Sequence, residues 1–276
     1  MRIDRLVPYA ATAVGIVALL WAVIVGVLLL QEDTIVYQAG WSRTGLDTTL
    51  APGWIRVRVP TTDGLTLDAV LAAPEGRHRM TVLYFHGNAA SIWSGQLRDK
   101  LIGYQRLGFQ VLAIDYRGYA FNAGTPSERG LRDDGLAAWQ YAVDSLHLPP
   151  DHLIVHGMSL GSGVAAAVAV THPPRLLILD GAYTSMPDVA RELYPFIPAG
   201  LLMRNQYPTL ARLDSLRAPV LVVHALNDQV IPYENGLRLF AAAREPKYFL
   251  QMSRGHVEGA FGDPAAFGGM LDSILR

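Results

Sequence analysis

The sequence predicts an α/β protein: a mostly parallel sheet covered by helices on both faces, with one apolar helix ahead of it. Three observations carry this. From residue 80 onward, short runs rich in Val, Ile, Leu and aromatic residues alternate with longer stretches of helical periodicity. That is the rhythm of β–α units whose strands are buried on both sides. Within it, Leu153-Ile154-Val155-His156 runs straight into Gly157-Met158-Ser159-Leu160-Gly161, and an Ala/Val-rich run follows from Val164 to Val170. At the other end of the chain, no charged residue occurs from Val7 to Leu30.

The N-terminal stretch comes first. Its 24 residues exceed the roughly 20 needed to cross a bilayer as a helix. Arg2 and Arg5 precede it, and Glu32 and Asp33 follow it. The bias of positive charge toward the cytoplasm therefore predicts a cytoplasmic N-terminus and an extracytoplasmic main domain. A cleaved signal peptide is the competing reading. It normally has an apolar core of about 7–15 residues and a small-x-small cleavage site, and Tyr37-Gln38-Ala39 has a bulky first position. An uncleaved anchor over 1–30 is the expectation, with residues 31–50 as a short tether to the domain over 51–276.

That domain opens with a hairpin. Trp54 to Val59 and Leu65 to Ala72 alternate around the turn Thr62-Asp63-Gly64. Strands are expected at 80–85, 109–115, 152–157, 175–180, 219–225 and 247–252. Helices are expected near 91–107, 131–146, 160–171, 233–243 and 257–275. Residues 181–218 exceed an ordinary connection and read as a small cap insertion or a crossover helix. Leu193, Tyr194, Phe196, Ile197, Leu201, Leu202 and Met203 fall within it. As a cap, its apolar face suits an acyl chain, with Phe196 and Leu202 as candidate substrate contacts. The same face could touch lipid instead.

Composition narrows the function. At 276 residues the chain can build one large domain. Its net charge is −1 and no basic arm occurs, so nucleic-acid binding has no electrostatic basis. It contains no cysteine, which removes thiol nucleophiles, thiolate metal sites and disulfides. Of its 23 basic residues only Lys100 and Lys247 are lysine, a bias to which composition assigns no function. The oligomeric state is open.

Gly157-Met158-Ser159-Leu160-Gly161 is G-x-S-x-G in the strand-to-helix setting that a nucleophile elbow requires. A serine on so sharp a turn needs neighbours without side chains, because strand and helix approach closely there. The turn lifts Ser159 Oγ clear of the sheet and leaves the Leu160 N–H at a helix N-terminus, where it can bind an oxyanion. The chain order required is Ser, then Asp or Glu, then His. Of the later histidines, His172 precedes Pro173-Pro174 and His224 lies inside an apolar strand. His256 follows Gly255 on a loop at a strand's C-terminal end, where a general base reaches the nucleophile. Asp180 and Asp228 both end strands. Asp228 is favoured because its strand directly precedes the His256 strand. A second oxyanion donor belongs on the loop after an earlier strand, and the Asn88 N–H in His86-Gly87-Asn88 is placed for it. His86 precedes the serine and reads as a structural residue. Asp115 reads as loop structure with Arg117.

Taken together, His86-Gly87-Asn88, Asp115-Tyr116-Arg117-Gly118-Tyr119, Thr125-Pro126-Ser127-Glu128 with Gly130-Leu131, the Ser159 elbow, Asp228 with Val230-Ile231-Pro232, and Gly255-His256 resemble the α/β-hydrolase fold of serine hydrolases. More narrowly, they resemble the membrane-anchored α/β-hydrolase-domain proteins that include lysophospholipid hydrolases and protein depalmitoylases. The matching stretches span residues 80 to 260 in the expected order. Ala120 and Ala225 stand where that family usually has glycine; neither position is a proposed catalytic group. The resemblance implies ester or thioester hydrolysis and leaves the substrate unnamed.

The expected chemistry is acyl transfer to water with no metal or organic cofactor. Ser159 is the nucleophile, His256 the base and Asp228 the acid, with Leu160 and Asn88 at the oxyanion. Two other readings remain: a peptidase on the same triad, and a non-catalytic membrane-tethered binding module. A peptidase would normally call for a larger propeller or cap, and an intact Ser/Asp/His set argues against the binding module. Haloalkane or epoxide chemistry is disfavoured, because the elbow carries serine in place of aspartate.

Overall fold

A computed structural model describes residues 7–76 and 78–276, and of 7–11 the backbone only. Arg2 and Arg5, on which the expected orientation rests, lie outside the described residues. The apolar stretch is one helix, α1 (Val7–Leu30), and from Thr12 to Leu30 it is long and apolar enough to cross a membrane. A second short helix, α2 (Glu32–Tyr37), follows at once.

Eight strands form one sheet: β1 (Trp54–Pro60), β2 (Thr66–Ala72), β3 (Thr81–Phe85), β4 (Gln110–Ile114), β5 (Leu153–Met158), β6 (Leu176–Asp180), β7 (Val220–Ala225) and β8 (Lys247–Met252). Their order is β1-β2-β4-β3-β5-β6-β7-β8. The β1–β2 hairpin and its β4 neighbour are antiparallel, and all other pairs are parallel. The expected strands are present to within a residue or so at each end. Because β4 and β5 flank β3 on opposite sides, the chain changes winding direction there. A crevice opens at such a point beyond the carboxyl ends of the strands. The register makes those ends level: Phe85 pairs with Gly157, Met158 with Asp180, and Ala225 with Met252.

Successive residues of each central strand face opposite layers. Leu83, Phe85, Val155, Leu177, Leu179 and Val222 pack into one core, beneath α4 (Glu128–Gln140), α5 (Leu160–Thr171) and α9 (Tyr233–Ala242). Val82, Tyr84, Ile154, Ile178, Leu221 and Val223 pack into the other, beneath α3 (Gly95–Arg106) and α10 (Pro264–Ile274). The last helix starts later than expected. Asp263 caps it through the Ala266 N–H, and Pro264 occupies the first turn, where no N–H is needed. Ahead of it, Gly259 has φ +52°, and a Cβ there would lie 2.5 Å from the Asp180 carboxylate. That positive φ breaks any helix running through from 257.

The segment 31–50, expected as a tether, is fixed to the domain. Glu32, Val36 and Tyr37 of α2 are buried. Glu32 accepts hydrogen bonds from the backbone N–H groups of Arg204 and Asn205, and the Tyr119 hydroxyl donates to the Tyr37 carbonyl at 2.6 Å. The insertion 181–218 is three short helices, α6 (Met186–Leu193), α7 (Ala199–Leu202) and α8 (Thr209–Leu213). Asp115 is a loop-former as expected, accepting from Ser91 Oγ and the Ile92 N–H. Arg117, however, pairs with Asp134 and Asp63 rather than with Asp115.

Candidate active site

The elbow is built by close approach. A Cβ on Gly157 would sit 2.2 Å from the Gly161 carbonyl oxygen, and one on Gly161 would sit 2.1 Å from the Phe85 oxygen. Alanine at Gly157 would force β5 and α5 apart, and alanine at Gly161 would push α5 off the end of β3. Between them Ser159 holds φ +51°, ψ −121°, a backbone state that side chains rarely adopt and that persists only where the surroundings impose it. Two backbone bonds fix it: the Ser159 N–H donates to the Asp180 carbonyl, and the Ser159 carbonyl accepts from Ser162. Leu160 opens α5, so its N–H has no partner within the helix.

The loop after β3 faces the serine. A Cβ on Gly87 would lie 3.3 Å from Ser159 Cβ, so glycine is what lets the loop lie against the elbow. His86 holds this loop from beneath: it is buried, its Nδ1 lies 2.7 Å from the Gly87 oxygen and its Nε2 3.2 Å from Asp115 Oδ1. Asn88 is tied through its side-chain amide to the Val36 carbonyl at 3.3 Å, and the Ala89 N–H reaches the Tyr37 carbonyl at 3.4 Å. Thus α2, directly after the apolar helix, positions the loop that carries the second candidate oxyanion donor.

His256 and Asp228 meet on neighbouring loops, with His256 Nδ1 2.6 Å from Asp228 Oδ2. Asp228 Oδ1 accepts from the N–H groups of Val230 and Ile231, and His224 Nε2 lies 3.5 Å from Asp228 Oδ2. Burial alone would raise the Asp228 carboxyl. The His256 ring and the two N–H donors outweigh it and hold the group below the ordinary carboxylate value. His224 is fully buried within β7, as the sequence implies.

Asp180, the rejected acid, is buried and turned away. It faces His156 Nε2 at 3.4 Å and accepts from the Ala260 N–H at 2.9 Å. Burial would raise it too, but His156, Lys100 and that N–H bring it below the ordinary value. Burial conversely lowers His156, whose Nδ1 meets the Tyr104 hydroxyl.

Ser159, His256, Gly87 and Asn88 line one cavity of about 420 Å³, with Gln38, Tyr84, Leu97, Lys100, Met158, Val230 and Val257 among its walls. Phe196 and Leu202 are not brought there; no residue of 181–218 lines it. Their expected role as substrate contacts is corrected: the insertion runs beside α1 and α2, where Phe196 accepts from Trp21 Nε1 at 3.1 Å. Two wall residues, Gln38 and Lys100, and one neighbour of His256, Gly181, escaped the sequence reading. Gln38 follows α2 at φ +47°. Gly181 lies so close that a Cβ would be 3.1 Å from the His256 ring. Lys100 is buried, lowered by that burial, and donates to the Val257 and Glu258 carbonyls at 2.6 and 3.1 Å, bracing the turn after His256. The rarity of lysine in this chain was its one signal. Among the described residues no cluster of acidic, histidine or cysteine side chains could hold a metal ion.

A mostly parallel eight-stranded sheet with a strained serine turn between β5 and α5 is the α/β-hydrolase fold, and the chain belongs to that family. The family model for the α/β-hydrolase fold matches residues 81–206. The uncharacterized protein Rv2307c of Mycobacterium tuberculosis is 34% identical over 97% of this chain and 94% of its own length. The protein bem46 of Schizosaccharomyces pombe is 28% identical, covering 86% and 81%. Among solved structures, the esterase domain of a Rhodothermus marinus protein aligns with a TM-score of 0.61 at 25% identity, covering 80% of this chain and 96% of that one. The fold and this likeness support a hydrolase acting on esters.

Proposed function

We propose that the protein is a membrane-anchored serine hydrolase that cleaves carboxylic ester or thioester bonds of acyl, lipid-like substrates. The observation that carries this is the strained Ser159 elbow in the same cavity as a histidine whose Nδ1 is held by Asp228. His256 Nε2 takes the Ser159 proton as Oγ attacks the carbonyl carbon. The Leu160 and Asn88 N–H groups receive the oxyanion, each worth about 3–4 kcal/mol in such sites. The tetrahedral centre collapses, the protonated His256 passes its proton to the leaving alkoxide or thiolate, and an acyl-serine remains. Water then attacks with His256 again as base, releasing the acid and restoring Ser159. Asp228 keeps the imidazole in the required tautomer and stabilises its protonated form. No step calls for a metal or cofactor.

Apolar walls at Tyr84, Leu97, Met158, Val230 and Val257 favour an acyl group over a charged one. In this reading α1 spans the membrane and the hydrolase domain is extracytoplasmic. A fluorophosphonate probe tests the nucleophile, and an acyl-length series of p-nitrophenyl esters tests the substrate class. Failure of folded protein to react with the probe would favour a non-catalytic binding module.

A further inference from the structure

The apolar face of the insertion has lost its expected place over the active site, and its surroundings suggest another partner. Leu193, Tyr194, Phe196, Leu201 and Leu202 are 54, 45, 77, 88 and 36% exposed. They crowd into ten residues, unlike the scattered apolar side chains of an ordinary surface. Two sets of bonds hold this segment along the apolar helix. Trp21 Nε1 donates to the Phe196 carbonyl. At the other end Arg204 and Asn205 bond Glu32 and Asp33, just past the last turn of α1. From Trp21 to Glu32 the helical rise is about 16 Å. Over that length α1 itself is partly covered: Val25 is buried, and Gly26, Leu28 and Leu29 are half-buried. If α1 spans, the segment lies at the same depth as its last three turns, within the half-thickness of a hydrocarbon core of about 30 Å.

We propose that the exposed face of 193–202 enters the lipid bilayer beside α1, giving the enzyme a second membrane contact. This rests on the reading of α1 as a membrane span. Two features suit the site to lipid. A loop carbonyl at that depth finds no water to bond, and Trp21 supplies the donor that the Phe196 carbonyl needs. Arg191 and Arg204 bracket the apolar stretch and are 62 and 65% exposed. Their stems can lie along the apolar surface while their heads reach the headgroups.

The absence of cysteine makes the test clean. Full-length protein carrying Leu19→Cys, Leu201→Cys or Ile55→Cys, each at an exposed position, is labelled with an environment-sensitive fluorophore and placed in phosphatidylcholine vesicles. Lipids with a spin label on the acyl chain serve as quencher. Quenching at 201 within about a factor of two of that at 19, with little at 55, supports the proposal. Quenching at 19 but not at 201 overturns it and leaves the anchor standing. A blue-shifted, unquenched label at 201 overturns it in favour of protein cover, such as a second copy of the chain. Quenching at neither 19 nor 201 overturns the anchor reading and this proposal together.

Discussion

His256 Nδ1 lies 2.6 Å from Asp228 Oδ2, while Asp180, at the end of the adjacent strand β6, faces His156 instead. Two aspartates at similar strand ends therefore have separable roles. Asp228→Asn should lower kcat by roughly 10⁴-fold, because an amide cannot hold the imidazole in the tautomer that accepts the serine proton. Asp180→Asn should act mainly on stability, costing about 1–3 kcal/mol through disturbed buried hydrogen bonds. Paired kinetics and thermal melts check this; a larger kcat loss in Asp180→Asn would reverse the assignment.

Acid should destabilise the protein in two windows. Burial lowers His156 below 6.5, so its contribution is complete above that value and is lost as pH falls through the lowered one. Asp180 and Asp228 are held below 3.8; their contribution is complete above 3.8 and disappears as pH falls beneath it. Urea unfolding at stepped pH should show both declines. Asp180→Asn should flatten the second, and an unchanged slope in that variant would contradict the shift.

The N-terminal boundary is sharp. Removal of residues 1–30 should leave a hydrolase that turns over short esters, because α2 and every group lining the cavity remain. Removal of 1–38 should abolish activity by taking away Glu32, Tyr37 and Gln38, and with them the carbonyls that hold Asn88 and Ala89. Equal activity of the two truncations toward p-nitrophenyl acetate would show that α2 does not position the loop.

Acyl-length selectivity should follow the cavity and not the insertion. Leu97→Trp or Val257→Trp should shorten the preferred acyl chain, since both residues line the cavity. Each methylene excluded should cost up to about 0.8 kcal/mol. Phe196→Ser and Leu202→Ser should leave the profile of detergent-solubilised protein unchanged. A flattened profile in those two variants would place the insertion back over the site.

The central strands were legible because they are buried on both faces and read as unbroken apolar runs, and the opening hairpin because its strands alternate around a turn. The elbow was legible because the Gly157 and Gly161 contacts leave no alternative residue. Asp228 was separable from Asp180 by strand order alone. What escaped depended on contacts far apart in the chain. Glu32 and Tyr37 sit in six residues too short for periodicity to show, and their partners lie near 204 and 119. Gly181 looks like any turn glycine until the His256 ring is beside it. Phe196 and Leu202 were apolar as read, but composition cannot say which neighbour an apolar face meets. The turn ahead of α10 is tied to Asp180, which accepts from the Ala260 N–H eighty residues away.

Everything in the proposed reaction depends on Ser159 being a nucleophile activated by His256. The direct measurement is intact-mass and peptide mapping after treatment of folded, full-length protein with a fluorophosphonate, alongside Ser159→Ala and His256→Ala. One adduct per chain is expected, on the peptide bearing Ser159. No adduct is expected in Ser159→Ala and labelling slowed by orders of magnitude in His256→Ala, with a cooperative thermal melt retained in both. An unlabelled wild type, or an adduct that persists in Ser159→Ala, would contradict it.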